Sequence, residues 1–288
     1  MYKNLAAVLI SLFLLSCTGR DIRFRLENYI KEKKYRTAEN FIMEKEAQGD
    51  TSKILEIYLG KIYTYTRKYK KAGDVLFSIE GRLPSPEKEL YINTLLEFGD
   101  STYNIGYKYM AERAYATIFR IDSLFNLGWR FRFLAQRSLN RDDYEQAYAY
   151  FRAYLQNDGS IDSVFTDYFR TLYALGKWKE IVTLKNRLKN VKRKADLDWI
   201  YGESLFNLAE TFYESGIEDS ALKYLNEFID YGTPRILLDD AYLMRAEILE
   251  NRGDTAQALE SYYRVLLYAP KRTRTAKKAR ERINELEK

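Results

Sequence analysis

Residues 59–84 read LGKIYTYTRKYKKAGDVLFSIEGRLP. Gly60 stands three places before Tyr63, Tyr69 stands three places before Ala72, and Leu76, Ile79 and a closing Pro84 follow. The Tyr-x-x-Ala element recurs as Tyr35-x-x-Ala38 and Tyr144-x-x-Ala147, with Trp178-x-x-Ile181 as a variant and weaker copies centred on Ala114, Ala221 and Ala258. Successive anchors lie 34, 42, 33, 34, 40 and 37 residues apart, which suits one helix hairpin per period. Two antiparallel helices approach closely only where a side chain is small, so Ala or Gly on one admits Tyr, Phe or Leu from the other. Each hairpin keeps an apolar flank that only the next one covers. Stacking therefore builds a continuous core from pairs that would be unstable alone.

Composition agrees with an all-helical chain. Of 288 residues 26 are Tyr and 15% are aromatic, while there are 4 Pro, 14 Gly, one Cys and no His. That is too apolar for disorder and too poor in turn formers for an all-β fold. Without His there is no imidazole base, and a lone Cys offers neither a thiolate pair for zinc nor an internal disulfide. The formal charge is +6. Lys3 and the tail 271–288, with eight basic and three acidic residues, account for all of it. The stretch 17–270 is neutral, so no basic face and no nucleic-acid partner is expected.

These residues resemble tetratricopeptide repeats (TPR). The last copy reads Ala246, Leu249, Gly253-Asp254, Ala258, Tyr262, Val265 and Pro270, and the one before it Ala209, Phe212, Gly216, Ala221, Leu225, Phe228 and Pro234. The fourth has Phe131, Leu134-Ala135, Ala147, Phe151 and Tyr154, with Ser138 where an aromatic is usual. The resemblance implies a right-handed α-solenoid of about seven TPR-like helix pairs over 17–270. Ser85 as N-cap with Pro86 at the first helical position starts a helix expected to run to about Phe98. The basic cluster Lys185, Arg187, Lys189, Lys192, Arg193 and Lys194 ends one helix as a solvated end, with contact to anionic lipid or a partner as the alternative. Asp196 and Asp198 open a long helix containing Trp199. Over 271–288, Ala276, Ala279, Ile283 and Leu286 form a narrow apolar stripe on a charged, basic C-terminal capping helix, with a basic helix that also touches phospholipid head groups as the second reading.

Residues 1–16 have the form of a signal peptide. The uncharged run Leu5–Leu15 is too short to span a bilayer. It ends in Leu14-Leu15-Ser16-Cys17, which resembles the bacterial lipobox. That likeness implies cleavage before Cys17 and lipidation there by three acyl chains, which exceed the two signals that stable anchoring takes. Thr18, in place of an Asp, points to the outer membrane, with a periplasmic or surface-exposed protein.

No motif carries chemistry, so no catalytic residue, metal or cofactor is expected. The reading is a lipid-anchored TPR scaffold binding envelope proteins or peptide segments. It is distantly similar to the TPR lipoprotein of outer-membrane β-barrel assembly, through Asp239-Asp240-Ala241, Gly253-Asp254, Pro270 and Ala279-Arg280. A surface-exposed adhesin or host-binding lipoprotein is the alternative, and a carboxylate-based wall-active hydrolase a more remote one. In TPR proteins the first helix of each pair lines a groove. Carried over, its positions are Ile57, Lys61, Tyr65, Trp129, Arg132, Gln136, Arg170 and Tyr173, which are basic and aromatic. They are followed by Glu203, Phe206, Glu210, Tyr213, Glu214, Asp240, Glu247 and Glu250, which are mostly acidic. No repeat has Asn at the ninth position, which argues against the carboxylate-clamp type. A bound segment would then be acidic toward the earlier repeats and basic toward the later ones.

Overall fold

A computed structural model describes residues 21–79, 83–185 and 195–288. The apolar run, the lipobox with Cys17, and the basic residues Arg187 to Lys194 lie outside the described residues. Among those described there are fifteen α-helices and no strand. Helix α1 covers 21–31. The others are α2 (Tyr35–Ala47), α3 (Lys53–Tyr65), α4 (Tyr69–Leu76), α5 (Ser85–Asn104), α6 (Lys108–Ile121), α7 (Trp129–Leu139) and α8 (Tyr144–Gln156). After them come α9 (Phe165–Ala174), α10 (Trp178–Thr183), α11 (Ala195–Glu214), α12 (Glu218–Tyr231), α13 (Leu238–Asn251), α14 (Thr255–Tyr268) and α15 (Arg274–Leu286). No described helix is long and apolar enough to cross a membrane.

Seven hairpins are closed by the same turn. One residue in each has positive φ, namely Lys33, Arg67, Gly106, Asp142, Gly176, Gly216 and Gly253, and each stands two places before the second helix of its pair. The amide after it donates back five residues: Lys34 to the Tyr29 carbonyl, Lys68 to Tyr63, Tyr107 to Thr102, Asp143 to Ser138, Lys177 to Leu172, Ile217 to Phe212 and Asp254 to Leu249, all at 2.8–3.0 Å. This is the Schellman closure, which satisfies carbonyls the helix end would otherwise leave open. Asp143 and Asp254 also accept from the amides of Gln146 and Gln257, capping α8 and α14.

The seven anchors, Ala38, Ala72, Ala114, Ala147, Ile181, Ala221 and Ala258, are all completely buried. Large rings fill the space beside them, including Tyr58, Tyr115, Tyr201 and Tyr262. Tyr is favoured over Phe because each buried ring places its hydroxyl on a carboxylate at the rim. Tyr58 donates to Glu27 at 2.9 Å, Tyr115 to Asp100 at 2.8 Å, Tyr201 to Glu227 at 3.0 Å and Tyr262 to Glu250 at 2.6 Å. Buried Thr64, Thr94, Thr102, Ser204 and Ser261 each donate to the carbonyl four residues back. Ser138, in the place of an aromatic, is buried, and its hydroxyl has no hydrogen-bond partner among the described residues.

The chain divides into two compact units, Met1–Leu134 and Ala135–Lys288, with the division inside α7. In the first, α3 packs on α2, α4 and α5, and α5 packs on α4 and α6. In the second, each helix from α8 to α15 packs on its neighbour in sequence, while α9 also meets α11 and α13 meets α15. Within each unit, first helices thus meet side by side, α3 with α5 and α9 with α11. Helix α15 covers the last hairpin through Ala276, Ala279 and Ile283, all buried.

Two local expectations are corrected. The helix opening at Ser85 does not stop near Phe98 but continues to Asn104, because Phe98, Gly99 and Thr102 are buried on the face that receives α6. Pro84, not Ser85, is its N-cap, and no side chain caps it.

Candidate functional site

The surface made by the first helices carries most of the residues expected to meet a partner. Ile57 and Phe206 do not belong to it. Both are buried, Ile57 completely, because they sit on the apolar stripe that holds α3 and α11 in the stack.

In the first unit, the Lys61 ammonium pairs with Glu97 at 3.2 Å and the Tyr65 hydroxyl donates to the same carboxylate at 2.8 Å. Trp129 is half-exposed, with its ring 4.7 Å from that of Tyr103 and 5.0 Å from the Arg130 guanidinium. Arg132 is exposed and makes no ion pair among the described residues.

In the second unit the polar groups form cross-links between successive first helices. Arg170 of α9 pairs with Asp196 at the start of α11, and this bond holds the Asp196 carboxyl below its usual range. Tyr173 donates to Glu203 at 2.9 Å, and Trp199 donates to the same oxygen at 2.7 Å. Tyr213 donates to Glu247 at 2.6 Å, and Lys278 of α15 pairs with that carboxylate. Burial and the bond to Glu247 push the Tyr213 hydroxyl up to about 12. Glu250 is held by Tyr262 and Arg282, and Asp240 accepts from Thr275 at 3.2 Å. The expected division into basic and acidic halves is therefore largely cancelled inside the fold. Lys61 and Arg170 are neutralised by neighbours.

Two features of this surface remain unspent. Glu210 and Glu214 are exposed with no ion pair among the described residues, and Asp240 lies close enough to act on Glu210. Partial burial, then the charges of Glu214 and Asp240, raise the Glu210 carboxyl above its ordinary range.

The other feature is an open cleft of about 500 Å³ lined by Gln136, Leu139, Asn140, Tyr144, Asp167 and Arg170. Gln136 and Asn140 are one helical turn apart and exposed, and neither carboxamide has a partner among the described residues. A carboxamide carries both a donor and an acceptor, matching the N–H and C=O of an extended backbone. Leu139 supplies an apolar wall, and Tyr144 is oriented by a 3.2 Å bond to Asp142. Leu139, Asn140, Tyr144 and Asp167 are missed when positions are copied from a family pattern. The readable signal was Asn140, four residues after Gln136. No group of His, Cys, Asp and Glu able to hold a metal occurs among the described residues.

The family profile described as tetratricopeptide repeat matches residues 203–231 and 240–272. Over those two stretches the chain is similar to tetratricopeptide repeats. In the matched hairpins, the TPR helices are α11 with α12 and α13 with α14, the same helices that bear Glu210, Glu214 and Asp240. The chain is also similar to the solved C-terminal part of a TPR repeat-containing protein from Cytophaga hutchinsonii, at 14% identity over 90% of this chain and 98% of that one, with a TM-score of 0.36. A tetratricopeptide repeat protein from Parabacteroides merdae aligns at 14% identity over 93% and 98%, also with a TM-score of 0.36. No curated protein matches the chain. Tetratricopeptide repeats generally mediate binding to proteins or peptides.

Proposed function

We propose that this protein is a lipid-anchored TPR scaffold of a bacterial outer membrane, acylated at Cys17. It holds an extended protein segment along the first-helix surface of its second unit. The observation that carries the binding reading is the cleft at Gln136 and Asn140, where two free carboxamides meet an apolar wall and charged side chains. The segment's backbone hydrogen-bonds to the carboxamides, and a basic residue of the same partner meets Glu210, Glu214 and Asp240. Support for the anchor is the coincidence of the only Cys with the end of the apolar run. Attachment to outer-membrane protein assembly rests on the likeness of the C-terminal pattern alone.

A photo-crosslinking residue at Gln136 or Glu214 in the acylated protein, in its own envelope, is expected to capture a protein. Asn140→Ala should weaken capture, and the same probe at Lys223 on α12 should capture none. Capture from Lys223 alone would refute the surface assignment. Cys17→Ser is expected to release the protein to a soluble fraction, and salt-resistant membrane retention would refute the anchor.

A further inference from the structure

The sequence from Ser261 to Arg280 contains no acidic residue and seven basic ones. Lys278 is turned inward to Glu247 and Arg264 faces Glu260. Lys277 lies 3.7 Å from Glu281, and the rest stand on the connection into α15 or along that helix. The Arg235 guanidinium, on the connection into α13, lies 5.9 Å from the ring of Tyr268 at the end of α14. That ring is stacked at 5.6 Å on Tyr242. Three residues past Tyr268, the chain turns through Lys271 and Arg272, and Arg280 of α15 reaches back to donate to the Lys271 carbonyl at 2.5 Å. Arg235, Lys271, Arg272 and Arg280 are all exposed, and none forms an ion pair among the described residues. Next to them in the chain stand two aliphatic side chains facing water, Ile236 at 72% exposure and Leu267 at 68%.

These four exposed cations have no ion-pair partner among the described residues and are flanked in the chain by exposed Ile236 and Leu267. Long cations beside aliphatic side chains, carried on helix ends and connections, suit an interface where phosphate groups overlie hydrocarbon. An acidic protein segment would satisfy the charges but would leave Ile236 and Leu267 without a role. We infer that this end of the last hairpin docks on an anionic phospholipid surface, with the four cations at the headgroups and Ile236 and Leu267 entering the acyl boundary. The contact is separate from the first-helix surface and needs no acyl chain.

The test is co-sedimentation of the chain from Thr18 onward, which retains every described helix, with phosphatidylcholine vesicles containing or lacking phosphatidylglycerol. Binding is expected only with phosphatidylglycerol and should fade as salt shortens the screening length. Arg235→Glu with Arg272→Glu should weaken binding about tenfold or more. Ile236→Ser with Leu267→Ser should weaken it several-fold without changing its salt dependence, and unchanged helical melting would confirm that each pair of substitutions leaves the fold intact. The proposal is overturned by equal binding to both vesicles, by no binding, or by a charge-reversed chain that binds as well as the parent. Binding of a polyglutamate peptide that depends on Arg235 and Arg272, with no vesicle binding, would replace lipid by an acidic protein partner.

Discussion

The Tyr213 hydroxyl donates at 2.6 Å to Glu247, thirty-four residues further along and on the next first helix. Tyr65 to Glu97 and Tyr173 to Glu203 repeat the relationship at separations of 32 and 30 residues. One repeat supplies the phenol and the next supplies the carboxylate, so the bond exists only between stacked neighbours. Tyr213→Phe should therefore destabilise the chain by about 1 kcal/mol, since Lys278 still holds Glu247. Urea unfolding measures it, and a loss equal to that of Tyr→Phe at exposed Tyr109 would remove the structural role.

Close backbone approach sets a second expectation. A Cβ on Gly202 would stand 1.6 Å from the Thr233 carbonyl oxygen, whereas on Gly60 it would meet the tip of Leu76 at 2.4 Å. Backbone cannot yield as a side-chain tip can. Gly202→Ala is expected to cost about 3 kcal/mol or more and Gly60→Ala about 1–2 kcal/mol, as overpacking does. Equal melting temperatures for the two would contradict the packing of α11 on the connection between α12 and α13.

The hairpin turns make a third. Arg67 has φ of 59° with an exposed side chain, a conformation that costs a non-glycine residue roughly 1 kcal/mol. Arg67→Gly should raise stability by about 0.5–1 kcal/mol. Gly216 has φ of 71° and open space around it, so Gly216→Ala should lower stability by about 1 kcal/mol through the backbone alone. Thermal melts of the pair should move in opposite directions.

Glu210 gives a pH-dependent outcome. Its raised carboxyl keeps its proton in the folded chain to a higher pH than in the unfolded one. That advantage is complete below the unfolded pKa of about 4.3 and is lost as pH rises through the folded value. Glu210→Gln should therefore raise the melting temperature at neutral pH and leave it unchanged near pH 3. A basic partner reverses the preference, so its affinity should grow as pH rises through the carboxylate range, which titration calorimetry would read.

Removing 274–288 strips the cover from the last hairpin and exposes the surface now packed by Ala276, Ala279 and Ile283. A loss of at least about 2 kcal/mol and aggregation on heating are expected. A shortened chain that melts unchanged would make the tail a binding element alone.

Side-chain size along the chain was enough to place the hairpins. All seven anchors read from Tyr-x-x-Ala and its variants are buried, because the space between two helices is decided locally by which residues are small. The Schellman turns were half legible: Gly106, Gly176, Gly216 and Gly253 announce a left-handed residue, while Lys33, Arg67 and Asp142 do so only once the hairpin closes around them. The surface charges were legible as a list and misleading as a pattern. Lys61, Arg170, Glu203 and Glu247 read as free groove charges, yet each finds its partner about one repeat away. That pairing depends on the rise and rotation between stacked hairpins, which bring together donors and acceptors some thirty residues apart. No local pattern encodes that distance, so Glu210, Glu214, Gln136 and Asn140 stand out as unspent only after the repeats have packed.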